Sequence, residues 1–308
     1  MSDLLAVDAA GLRFQNPIVL AAGTAAYGRE LAGVIDLERL GGLVTKAVSV
    51  EPRLGNAAPR VTDFEGGMLN AIGLANPGLE AVRRVEFPWL AEHVRQARVM
   101  VNVVGNTVDD YVTVVSGLSE TPGVDGFELN VSCPNVRHGG MEFGADCGVL
   151  AELVGAVRRV TRRPLFVKLS PTLTDIATTA RAAADAGADG ISVVNTIPGL
   201  VIDPERRRPV LGFGSGGVSG AALLPVGVLA TWKVARAVRI PVMGVGGIAS
   251  ADDIVQYLLA GATLVGIGTA ALADPRVPER LVRGLTRWCD RHQVRTLADV
   301  IGRLEWPA

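Results

Sequence analysis

Only three of the 30 basic residues in this 308-residue chain are lysines, Lys46, Lys168 and Lys233, and the first two stand within the apolar runs LVTKAV and LFVKL. An ammonium kept there has a chemical use, because fixed positive charge in a dry pocket stabilises a ring that becomes anionic on reduction. A lysine that reaches solvent from a strand end is the plainer alternative, and it is the preferred reading for Lys233, which lies in a helical stretch. Asparagines accompany the lysines: Asn70, Asn102, Asn130, Asn135 and Asn195, the last followed by Thr196. Each carboxamide offers a donor and an acceptor, so several together match the alternating N–H and C=O edge of a pyrimidine or flavin. Each alone could equally serve to turn the chain. Cys133 lies in Asn130-Val131-Ser132-Cys133-Pro134-Asn135, ahead of the glycine-rich stretch 139–144. Its thiol, of reference pKa about 8.5, can act as a base or nucleophile where its surroundings favour the thiolate. Cys147 and Cys289 read as inert fillers, and His93, His138 and His292 show no metal-ligand spacing, so no metal site is expected.

Two glycine turns concern phosphate. Val245-Gly246-Gly247-Ile248-Ala249-Ser250 and Gly266-Ile267-Gly268-Thr269 each lead from an apolar run into a helical stretch. Backbone N–H groups free of Cβ hindrance bind phosphate at such turns, so Gly246, Gly247, Gly268 and Thr269 predict a phosphate-bearing cofactor. Tight strand-to-helix turns need glycine in any case.

The elements that must position these residues show as eight short apolar runs, at 17–22, 43–48, 99–104, 126–131, 165–169, 190–195, 241–246 and 264–269. Continuous apolarity fits parallel strands buried on both faces. The segments between them carry helical periodicity, for example 149–162, 174–186 with Thr174 as cap, 222–238, and 250–260 with Ser250 as cap. Eight such units predict a (β/α)8 barrel spanning residues 1–308 as one domain, with a doubly wound sheet as the alternative; no Gly-rich dinucleotide fingerprint follows the first run. A barrel gathers its site at the carboxyl ends of the strands, where Lys46, Asn102, Asn130, Cys133, Lys168, Asn195 and Thr196 fall. The connections 49–76 and 196–218 are too long for plain crossovers and are expected to be functional loops.

Hydrophobic residues make up 49% of the chain and charged ones 20%, with net charge -1. That supports a large core and gives no basic footprint for nucleic acid or an anionic membrane. No C-x-x-C pair suggests zinc or iron-sulfur, the first residues lack the pattern of a signal peptide, and no apolar stretch nears the roughly 18 residues of a membrane span. A cytoplasmic protein that binds small molecules is expected.

The strings VTKAV (44–48), GNAAPR (55–60), GGMLNAIGLANPG (66–78), NVSCPNVRHGG (130–140), VKLSP (167–171), VNTIPG (194–199), GGVSG (216–220) and GVGGIAS (244–250) resemble, in order, class 1 dihydroorotate dehydrogenases. The similarity is closest to the 1B branch, the catalytic subunits of NAD-linked enzymes. It implies an FMN barrel that oxidises dihydroorotate to orotate in pyrimidine synthesis, with Cys133 as the base. By the same resemblance Gly23, Lys46, Asn102, Asn130, Lys168, Gly220, Gly246, Gly247, Gly268 and Thr269 would bind FMN. Lys46, Asn70, Asn130, Asn135, Asn195, Thr196 and the backbone of Gly73 and Leu74 would hold the substrate. A homodimer joined by a subunit carrying FAD and an iron-sulfur cluster is implied as well. The chain departs from many relatives at Ala221, Leu224, Ala270 and Ala271. A dihydropyrimidine dehydrogenase-like reductase, or a flavin-binding scaffold without turnover, are the rival readings; orotate binding separates the first, and retention of Lys46, Cys133 and Lys168 argues against the second.

Overall fold

The computed structural model describes residues 3–132, 134–135 and 141–307. The apolar runs become eight parallel strands: β1 (Ile18–Leu20), β2 (Gly42–Val44), β3 (Arg98–Val103), β4 (Gly126–Asn130), β5 (Leu165–Leu169), β6 (Gly190–Val193), β7 (Val242–Val245) and β8 (Leu264–Ile267). They close into a barrel in chain order. β1, β2, β5, β6, β7 and β8 are buried along their whole length, because helices cover the outside and side chains fill the inside. β2 ends at Val44, short of its apolar run, so Lys46 stands in the turn beyond it.

Helices α1 (Phe87–His93), α2 (Val108–Leu118), α3 (Cys147–Arg158), α4 (Ile176–Asp185), α5 (Leu224–Ala235), α6 (Ala251–Leu259), α7 (Thr269–Ala273) and α8 (Val277–Arg291) follow the strands. α2 and α6 open with capping boxes, Thr107 with Asp110 and Ser250 with Asp253. α4 corrects an expectation. Its cap is Asp175, not Thr174, because the Asp175 carboxylate accepts from the N–H groups of both Ala177 and Thr178, and an anion is favoured at a helix N-terminus. A second correction concerns the first crossover: residues 21–41 form turns and a 3-10 turn at Leu37–Arg39 in place of an α-helix. Gly23 and Gly28 at φ 82 and 92 interrupt any helical run there.

The two long connections are not separate loops. Val61–Phe64 and Gly67–Asn70 form a hairpin, which Gly216–Ser219 and then Ile197–Gly199 extend into one antiparallel sheet. Leu69, Ala71 and Leu211 give it a small core of its own. Among the described residues, no helix is long and apolar enough to cross a membrane.

Candidate active site

The carboxyl ends of β3 to β6 carry an inward layer of polar side chains. Lys168 on β5 is 8% exposed and lies in register between Asn130 on β4 and Ser192 on β6. Among the described residues, no ion pair or hydrogen bond engages its ammonium. Ser192 is fully buried and among the described residues its hydroxyl has no partner; the Ser132 hydroxyl, where β4 leads into the cysteine loop, is likewise buried without one among them. Asn102, also buried, donates from Nδ2 to Glu128 Oε1 at 2.8 Å. A buried polar group without a partner costs free energy, so this layer is arranged for a polar ligand rather than for packing.

Toward solvent, Asn195 Nδ2 donates to Asn130 Oδ1 at 3.2 Å and the Thr196 N–H donates to Asn195 Oδ1 at 2.8 Å. Tyr111 braces this corner by donating its hydroxyl to the Asn130 carbonyl at 2.7 Å and stacking edge-on against Phe143. The sheet above brings in Asn70, whose Nδ2 donates to the Gly217 carbonyl at 3.3 Å. A Cβ on Gly217 would lie 2.1 Å from Thr196 Oγ1, so glycine lets the two ends of the second connection pack against each other here. Leu74, at φ 57 after Gly73 at φ 72, packs on Ala47 and Val104 and so sets its turn beside Lys46. Lys46 itself is half-buried, its N–H donating to the Ala26 carbonyl at 2.7 Å. Cys133 lies outside the described residues, and of Asn135 only the backbone pairing with Met141 is described.

The glycine turns meet on the β7 and β8 side. Gly246, Gly247 and Gly220 have φ 133, 74 and 103, and a Cβ on Gly247 would stand 2.5 Å from the Leu224 nitrogen. Among the described residues, nothing accepts from the N–H groups of Gly246 and Gly247. Thr269 Oγ1 donates to Ser219 Oγ at 2.8 Å, which closes the rim. The N-terminus of α6 itself is already served: Asp253 accepts from Ala249 and Ser250. The free donors for a phosphate are therefore the glycine N–H groups and not the helix end. Gly23 and Gly268 border the same rim, with open space where a Cβ on Gly23 would point.

Sequence reasoning missed Glu128, Ser192 and Tyr111. Glu128 had a signal, an acid inside the otherwise apolar GFELN, two residues before Asn130 and so on the same strand face.

Residues 4–288 match the family described as dihydroorotate dehydrogenase. The chain belongs to that family. The dihydroorotate dehydrogenase B (NAD(+)) catalytic subunit of Pelobacter propionicus is 46% identical over 301 residues, 98% of both chains. Those of Citrifermentans bemidjiense and Halalkalibacterium halodurans are 44% and 45% identical, covering 98% and 97% of each chain. For a dihydroorotate dehydrogenase family member, the closed parallel barrel is the scaffold on which the inward polar layer, the amide cluster and the glycine turns converge.

Proposed function

We propose that this chain is the catalytic subunit of an NAD-linked dihydroorotate dehydrogenase of the cytoplasm, oxidising dihydroorotate to orotate in pyrimidine biosynthesis with FMN at the barrel mouth. The observation that carries the reading is Lys168, a buried cation with no counter-charge bonded to it among the described residues. A ring that is anionic when reduced supplies that charge. The unpartnered Ser192 hydroxyl and the open N–H groups of Gly246 and Gly247 fit the same ligand, a polar ring and a phosphate.

Bound there, FMN supplies the acceptor for the hydride that leaves carbon 6 of dihydroorotate. Asn102, Asn130, Lys168, Gly23 and Gly220 would hold it, with Gly246, Gly247, Gly268 and Thr269 around its phosphate. Lys46 would touch both flavin and substrate. Asn70, Asn130, Asn135, Asn195, Thr196 and the backbone of Gly73 and Leu74 would orient the pyrimidine ring through paired donors and acceptors. Cys133 would take the proton from carbon 5, so that one proton and one hydride leave together. Anaerobic mixing with dihydroorotate tests the assignment: the flavin should bleach within the turnover time, and a flavin that stays oxidised would sink it.

The chain has no dinucleotide fingerprint and no cysteine cluster, so a second subunit holding FAD and an iron-sulfur cluster would pass electrons to NAD. A homodimer completes the proposal. Exposed apolar side chains concentrated in the two long connections, Leu54, Val61, Leu200, Ile202 and Phe213, support a second copy covering them.

A further inference from the structure

Glu128 has no part in the reaction as proposed, yet it lies 1% exposed within β4. Strand alternation turns it to the same inward face as Asn130, and its register partner across β3 is Asn102. A carboxyl group in such a wall must be hydrogen-bonded, and the bond it makes is specific: Asn102 Nδ2 donates to Oε1 at 2.8 Å. A carboxylate can only accept. It therefore decides which end of the Asn102 carboxamide faces it. Nδ2 is held to the wall and Oδ1 is left as the outward end, and among the described residues nothing donates to that oxygen. Oxidised isoalloxazine has a single ring N–H, which needs an acceptor of this kind.

We propose that Glu128 is a positioning residue, an inference that rests on the FMN reading above: it locks the Asn102 carboxamide so that Oδ1 accepts from the flavin ring N–H. Its charge also stands on the strand next to Lys168, two residues before that lysine's register partner Asn130, and opposes the lysine's stabilisation of the reduced ring. A neutral amide at 128 could present either its oxygen or its NH2 group to Asn102, and the lock would be lost with little change of shape.

The test uses the full-length protein stripped of flavin, with FMN titrated back by fluorescence quenching. Glu128→Gln should bind FMN about tenfold more weakly, the scale of one charge-assisted hydrogen bond, and the bound flavin should have a more positive reduction potential. In an Asn102→Ala background the same Glu128→Gln change should add little further loss of affinity, because Glu128 acts through Asn102. Wild-type affinity and potential in Glu128→Gln would overturn the proposal, as would losses that add in full in the double variant. Circular dichroism and melting of each variant separate these results from misfolding. If the wild-type apoprotein takes up no FMN, the cofactor reading fails and this one with it; if it does and Glu128→Gln matches it, only the role of Glu128 falls.

Discussion

At the scale of single residues, Lys168 and Glu128 carry groups of opposite charge on neighbouring strands, and their removal should move one observable in opposite directions. Replacing Lys168 by Met should lower the FMN reduction potential, since the reduced ring loses its counter-charge; redox titration of the flavin-loaded variant checks it, and an unchanged potential would mean that Lys168 only fills the barrel. Cys133→Ala should keep FMN and orotate binding while slowing flavin bleaching by dihydroorotate at least about 100-fold, within the range of a lost general base. Serine at that position should retain some activity with its pH profile moved upward, because a hydroxyl is a far weaker acid than a thiol. Near wild-type bleaching of the alanine variant in single-turnover stopped flow would remove Cys133 from the mechanism.

Among the elements, the helix starts are where local chemistry is most exposed to test. Thr107→Ala breaks the capping box of α2 and should cost about 1 kcal/mol of stability by urea denaturation. At α4, hydrogen bonds from the Thr178 hydroxyl and backbone hold the Asp175 carboxyl below its ordinary range. A depressed folded-state pKa gives stability that is present above the ordinary aspartate value and is lost as pH falls through the lowered one. Asp175→Asn should therefore narrow the gap in melting temperature between neutral and strongly acidic buffer, and an identical pH dependence of melting would contradict the assignment. Burial instead raises the carboxyl of Glu142, beside the cysteine loop, so the stability of its neutral form is present below the ordinary glutamate value and is lost as pH rises from there through the raised one. Much of this level was legible in the sequence. The strands β1 to β8 showed as largely apolar runs, and Ser250 announced α6, because burial on both faces and side-chain capping leave local marks. The crossover of residues 21–41 and the sheet over the barrel did not show. Positive φ at Gly23 and Gly28 and a pairing between segments about 150 residues apart are properties of the assembled chain. The same distinction holds in the site: Lys46 and Lys168 stood out by rarity, whereas Ser192 is marked out only by what surrounds it.

As a whole molecule, the chain carries no dinucleotide motif, so under the proposed function the route to NAD runs through a second subunit. The isolated protein should reduce artificial dyes with dihydroorotate while forming NADH slowly under anaerobic conditions. Rapid NADH formation would refute the need for a partner, and fast transfer to fumarate would refute the NAD-linked reading.

The sheet that joins the two long connections has a consequence for redesign. Asn70 faces Gly217 and Leu69 faces Val218 in fixed register, and a slip of one residue in either strand would turn every side chain to the opposite face. Surface connections of a barrel are ordinarily its freely exchangeable part. Here they share a ladder, so grafting one of them from a relative with different substrate range would misalign the other, and the two must be transplanted as a pair.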